Sequence, residues 1–177
     1  MEMKGCGRSA SGTGSYGPPI FLMTIKRGVK IGVKSEKITP FSEILEAFST
    51  LKKDDLIFHT QRVRFLDNKP VCVLDHYIPL KYLPKISEND FTEDGPMQSI
   101  HNVIEKKHKI QILKWIDTIS AIKASPDIEK ILKLTKNSPI LLRKSITFST
   151  EGLILYYSTY KFISQYEVAG IVIFKER

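Results

Sequence analysis

A chain of 177 residues with 42% hydrophobic and 26% charged side chains has the make-up of one compact domain with its own core, which excludes a fibrous or disordered class. No stretch reaches the roughly 18 to 20 apolar residues of a membrane-spanning helix, and Met1 to Gly17 lack the apolar region of an export signal, so a cytoplasmic protein with no membrane partner is expected. The formal net charge of +8 attracts phosphate and other anionic groups, but Lys and Arg are spread along the chain and define no single nucleic-acid surface.

Residues 1–19 are rich in Gly and Ser, end in Pro18-Pro19 and carry no apolar periodicity, so they are expected to form an arm preceding a domain over 20–177. Thr39 as cap and Pro40 at the first helical position open a helix with Ile44, Leu45, Phe48 and Leu51 at helical spacing, closing near Lys52-Lys53. Leu56 to Phe65 and Pro70 to Ile78 are β-rich runs joined by Asp67-Asn68-Lys69, an antiparallel hairpin. A long loop through Pro79, Pro84 and Ser87 to Pro96 follows, then a short helix over Met97 to Lys107. Ile110 to Ile122 fits neither period cleanly and is assigned to a strand on its β-branched content.

Ser125-Pro126-Asp127 opens another helix, with Ile128, Ile131, Leu132 and Leu134 on its apolar face and Asn137 as a cap beyond it. Pro139 to Phe148, Leu153 to Phe162 and Val168 to Phe174 are expected strands, the first two joined at Thr150-Glu151-Gly152. Helices inserted between antiparallel hairpins make the class α+β.

The chain carries no phosphate-binding loop, no GxGxxG, no GxSxG and no HExxH, so the common phosphate, dinucleotide, acyl-transfer and zinc-protease chemistries have no foothold. Cys6 and Cys72 are too few for a disulfide framework, and His59, His76, His101 and His108 are scattered. No cofactor or metal is expected, and the protein is not expected to be an enzyme. One local pattern is sharper. Arg62-Val63-Arg64 lies on an expected strand whose period of two sets both guanidiniums on one face. Such a pair grips carboxylate or phosphate, although an exposed strand edge carries such a pair as well.

Two stretches carry a family resemblance. Lys4 to Tyr16, ending Gly12-Thr13-Gly14-Ser15-Tyr16, resembles the wing of GntR winged-helix domains. Arg62-Val63-Arg64-Phe65-Leu66-Asp67-Asn68-Lys69-Pro70, running on to Tyr77-Ile78-Pro79, resembles the signature of the UTRA module that senses effectors in the HutC subfamily of these bacterial regulators. Ser99-Ile100-His101, Ile119-Ser120-Ala121, Ile131-Leu132-Lys133-Leu134, Ser138-Pro139-Ile140-Leu141 and Glu151-Gly152 follow in the order of that family.

The resemblance implies a chorismate-lyase-like antiparallel sheet flanked by helices, a homodimer, and a small effector that tunes operator binding. A phosphorylated sugar or another anionic metabolite is the implied effector class. Carried over by position, Arg62 and Arg64 hold its anionic group, Ser99 and His101 line the pocket, Phe21 helps to close it, and Tyr166, matching a family aromatic, is a further effector-binding residue. Operator DNA is reached only through a winged helix, whose recognition helix the chain, starting at the wing, is expected to lack. The residues flanking Phe21 are Ile20 and Leu22 where the family has hydroxyl residues, and Leu74 stands where it has a pocket Glu, with Asp75 one position on. A one-residue shift on a strand turns Asp75 to the other face, so these departures from the family weigh against sugar-type recognition and leave open an effector more apolar or differently charged, or no effector at all. A small enzyme of the chorismate-lyase-like fold is the alternative; it requires a general acid beside the cationic clamp, and only the clamp is evident.

Overall fold

The computed structural model describes residues 32–48, 50–66, 68–91 and 99–163. Among the described residues six strands form a single antiparallel sheet: β1 (Gly32–Ile38), β2 (Ile57–Leu66), β3 (Lys69–Pro79), β4 (Ile112–Lys123), β5 (Pro139–Ser149) and β6 (Ile154–Ile163). Their order across the sheet is β1-β2-β3-β6-β5-β4. The hairpins β2–β3 and β5–β6 are thus joined at the centre through β3 and β6, with β1 and β4 outermost among the described strands. Three short helices among the described residues complete the α+β architecture expected from the sequence: α1 (Ser42–Ala47), α2 (Ile100–Asn102), which continues as a π-helical turn over Val103–Lys107, and α3 (Pro126–Leu132). A 3-10 turn over Glu88–Phe91 precedes α2.

β1 is an element the sequence did not announce. Its residues, GVKSEKI, alternate weakly and carry three charges, the composition that blunts a sheet edge. The first helix is shorter than expected. Phe41 occupies its N-cap without a side-chain hydrogen bond, and neither Thr39 nor Pro40 takes the positions assigned to them. Six residues are too few to hold a helix by propensity, so α1 depends on packing. Ile44 and Phe48, both fully buried, join Leu51, Ile57 and Tyr157 against the sheet. α3 has the expected Pro126 in its first turn, but its C-cap is Lys133 in the left-handed region (φ 55°), four residues before Asn137. The assigned helix over Met97 to Lys107 begins at Ile100. The strand expected over Val168 to Phe174 lies outside the described residues.

The sheet is covered on both faces. On the first lie the 3-10 turn, α2 and its π turn, where Phe91, Ile100, Val103 and Ile104 pack with Phe58, Ile78 and Tyr156. On the second, α1 covers one end, and α3 covers the other through Ile128 and Leu132 against Val73 and Ile140. Between α1 and α3 the second face is polar. Asp75, buried on β3, accepts hydrogen bonds from His59 Nε2 (3.0 Å), Gln61 Nε2 (2.9 Å) and Lys161 Nζ (2.6 Å), while His59 Nδ1 meets Glu36 at 3.1 Å.

Candidate functional site

A β-bulge decides which side chains share the first face. At the β2–β3 turn Leu66 faces Lys69 and Phe65 faces Pro70, but the register shifts between Arg64 and Phe65, so Arg64 faces Cys72, Arg62 faces Leu74 and Thr60 faces His76. Directly opposed residues point to the same side of a sheet, and a one-residue shift exchanges the faces. Without the bulge Arg62 would oppose Val73, and His76 would stand on the other side.

Cross-strand partners then run in rows over the first face. One reads Thr60, His76, Ser158, Ser145 and Asp117 from β2 to β4, and the next reads Arg62, Leu74, Tyr160, Arg143 and Ile119. Tyr156, Thr147 and Trp115 are neighbours in the row on the far side of the first. Thr60, Arg62, His76, Arg143, Ser145, Thr147 and Ser158 are all buried, a polar floor within an otherwise apolar core. Most buried polar groups find partners, and here the pairs Arg62–His76, His76–Ser158 and Arg143–Asp117 define the arrangement, while the buried Thr60 hydroxyl has no hydrogen-bond partner among the described residues.

An Arg62 Nη2 N–H donates to His76 Nε2 at 2.6 Å, so that nitrogen is the acceptor and the Nδ1–H donates to Ser158 Oγ, also at 2.6 Å. His76 is thereby fixed as the neutral Nδ1–H tautomer. Its burial, followed by the charges of Arg62 and Arg64, holds its pKa well below the usual histidine value. The Arg62 guanidinium, 2% exposed, lies 5.0 Å from the Phe91 ring centre. Desolvation, then repulsion from Arg64, lowers its pKa to about 10. It remains a cation at neutral pH, and an arriving anion gains a charge-assisted bond in a medium that screens it poorly.

At the other end of the floor Arg143 lies over the Tyr160 ring, 4.6 Å from its centre, and its Nε is 3.1 Å from Asp117 Oδ2. His76 meets the rings of Tyr156 and Tyr160 edge-on at 5.9 and 5.8 Å. His101, from α2, packs between Trp115 (5.3 Å) and Tyr156 (6.0 Å). Burial, then the charge of Arg143, pushes the His101 pKa down to about 4 against the opposing pull of Asp117. It too is neutral at physiological pH, so two neutral imidazoles and two guanidiniums surround the floor.

Arg62 and Arg64 thus share one face, with Arg62 buried and Arg64 half-buried, and Ser99 and His101 stand at the start of α2 above it. Phe21 and Tyr166 lie outside the described residues. Asp75 is on the opposite face, beside Gln61. Tyr156 and Tyr157 alternate as the strand period requires, but both are buried because both faces are covered. His76 entered the sequence reading only as one of four scattered histidines, and Ser158, Arg143 and Asp117 were not singled out there; the signal that unites them is strand parity, readable once the register is known. Among the described residues no cluster of His, Cys, Asp or Glu is arranged to hold a metal, and no helix is long and apolar enough to cross a membrane.

Known proteins point in one direction. The family model described as the UTRA domain matches residues 29–165. The mannosyl-D-glycerate transport/metabolism system repressor MngR of Escherichia coli (strain K12) is 23% identical over 122 residues, 69% of this chain and 49% of that protein. The chain therefore spans about half the length of this curated relative. Among solved structures, a GntR-family transcriptional regulator from Enterococcus faecalis V583 superposes with a TM-score of 0.70 at 22% identity, covering 82% of this chain and 100% of that one. The ligand-binding domain of a protein assigned to the same regulators in Bordetella bronchiseptica gives 0.73 at 14% identity, covering 82% and 90%. The fold is the chorismate-lyase-like sheet shared by these regulator domains.

Proposed function

The chain belongs to the UTRA domain family, and on that premise we propose that it is the effector-sensing and dimer-forming part of a GntR regulator of the HutC type. A small anionic metabolite, a phosphorylated sugar among the options, binds on the polar floor of the first face. Its anionic group rests on Arg62 and Arg64, Ser99 and His101 line the cover, and Phe21 and Tyr166 close the site. Residues 1–19 correspond to the wing of a winged helix and 20–177 to the sensor. Binding alters how tightly that winged helix holds operator DNA in the cytoplasm. The domain works by binding and not by catalysis. The observation that carries this reading is the buried guanidinium of Arg62, oriented by a neutral His76 and lying over the Phe91 ring.

A thermal-shift screen of sugar phosphates, amino acids and carboxylates against the wild type and Arg62→Ala tests it. A ligand confined to the folded state adds RT ln(1 + [L]/Kd), about 2.7 kcal/mol at a hundredfold excess. An anionic compound is expected to raise the melting temperature of the wild type and leave the variant unmoved. Equal shifts in both proteins would remove Arg62 from the site.

The second copy pairs along β4. This strand is the outermost of the described strands on its side of the sheet, and Leu113, Ile116, Ile119 and Ile122 on it are 37–58% exposed. A long apolar edge presents unpaired backbone groups to a partner strand. Ile116→Lys is expected to shift the wild-type dimer to monomer in sedimentation at micromolar concentration; a dimer that survives it lies elsewhere.

A further inference from the structure

The arginine that the family resemblance did not point to, Arg143, lies in the same cross-strand row as Arg62, with Leu74 and Tyr160 between them. Three strand spacings of about 4.8 Å separate the two backbones by roughly 14 Å. Both side chains are buried on the first face, each beside an aromatic ring: Arg62 at Phe91 and Arg143 at Tyr160. His76 stands between them, bonded to Arg62 and edge-on to Tyr160. Beside Leu74 and Tyr160, the floor between the two guanidiniums carries the His76 imidazole and the hydroxyls of Ser158 and Ser145, which face each other across β6 and β5.

From this row we infer that the ligand of the site is doubly anionic, with one acidic group on Arg62 and a second on Arg143. The inference rests on reading the first face as the effector site and adds the ligand class. Arg143 already has a partner in Asp117, and that contact gives the second subsite its character. Asp117 is on the edge strand and its side chain is 28% exposed, so it can turn to water at small cost when a ligand carboxylate takes its place. Arg143, 7% exposed, has no such freedom and stays to receive the incoming group. Exchange of a protein carboxylate for a ligand carboxylate keeps the buried cation compensated throughout, which avoids the large penalty of an unpaired buried charge. Asp117 is therefore a competitor of the ligand and a guard of the empty site. The exchange also loosens a tie between β5 and the edge strand β4.

The test is a thermal-shift and calorimetric series with unbranched dicarboxylates from malonate to suberate, with butyrate and inorganic phosphate as single-anion controls. It uses the wild type, Arg62→Gln, Arg143→Gln and Asp117→Asn. Malonate cannot reach both guanidiniums, so the wild type is expected to prefer a longer member of the series. That member loses about tenfold to hundredfold in affinity in either arginine variant, the range for a charge-assisted bond, and gains affinity in Asp117→Asn. Because Arg143 is buried, the unliganded melting temperature of each variant shows first that it is folded, and Asp117→Asn, altered at the sheet edge, provides an arm that does not depend on Arg143→Gln folding. Binding abolished in Arg62→Gln but unchanged in both Arg143→Gln and Asp117→Asn would overturn the second subsite and leave the effector site standing. Binding that is indifferent to Arg62→Gln, or absent for every compound in the series, would overturn both.

Discussion

Phe48→Ala is expected to lower the unfolding free energy by about 3–5 kcal/mol, the range for truncating a fully buried aromatic. Phe48 follows the last residue of α1 and is fully buried with Ile44, Leu51, Ile57 and Tyr157. α1 has six residues and no side-chain cap, so it has little stability of its own with which to absorb a cavity. The loss extends to polar contacts, because Glu43 on the same helix accepts from Lys144 Nζ and Tyr157 Oη, each at 2.6 Å. Leu45→Ala, at a half-buried position of the same helix, is expected to cost about 1 kcal/mol. Chemical denaturation at one fixed protein concentration checks both, so that any self-association contributes equally to each comparison. A Phe48→Ala cost close to that of Leu45→Ala would mean that α1 is not anchored by its apolar face.

The same helix shows where sequence reading succeeds and where it fails. The apolar spacing of Ile44, Leu45 and Phe48 reports a helix because burial demands it. Its start did not fall on the good cap at Thr39, because packing and not capping sets where this short helix begins. The hairpins were legible from Asp67-Asn68 and Glu151-Gly152, and period two alone placed Arg62 and Arg64 on one face. The rest of the site was hidden for a physical reason. His76 joins Arg62 only because a bulge at Arg64/Phe65 shifts the pairing by one residue, and nothing in the composition of the turn announces it. Arg143 and Asp117 belong to two neighbouring rows that exist only when five strands are registered against one another, a tertiary property that no local window contains. β1 was missed because an edge strand rich in charge does not show the alternation of a half-buried strand.

The polar centre of the second face yields the other large effect, with a pH signature that separates it from ordinary packing. Asp75→Ala is expected to cost about 3–5 kcal/mol at pH 6, because it leaves Lys161 and His59 without the carboxylate between them, and breaking a buried ion pair on one side costs that much. For Asp75, burial alone would raise the pKa, but the hydrogen bond from His59 and the charge of Lys161 outweigh it and hold the carboxyl far below its usual range. His59 is the reverse case. Burial would lower its pKa, but the hydrogen bonds to Asp75 and then Glu36 raise it above 6.5.

Linkage fixes the signs. The raised His59 contributes stability that is fully present below pH 6.5 and is lost as pH rises through its folded-state value. The depressed Asp75 contributes stability present above the ordinary carboxylate range, lost as pH falls through its folded-state value. The network is therefore strongest between about pH 5 and 6. His76 and His101 act in the opposite sense at the acid end, because their folded pKa values are lowered; below pH 6.5 they refuse protons that the unfolded chain accepts. The His59 contribution is isolated by comparing the wild type with His59→Gln from pH 5.5 to 8.5. The stability difference between them is expected to shrink as pH rises, and in an Asp75→Ala background that pH dependence should largely disappear. A difference that stays constant across this range would show that His59 is held by its stacking on Tyr77, 4.6 Å away, and not by charge.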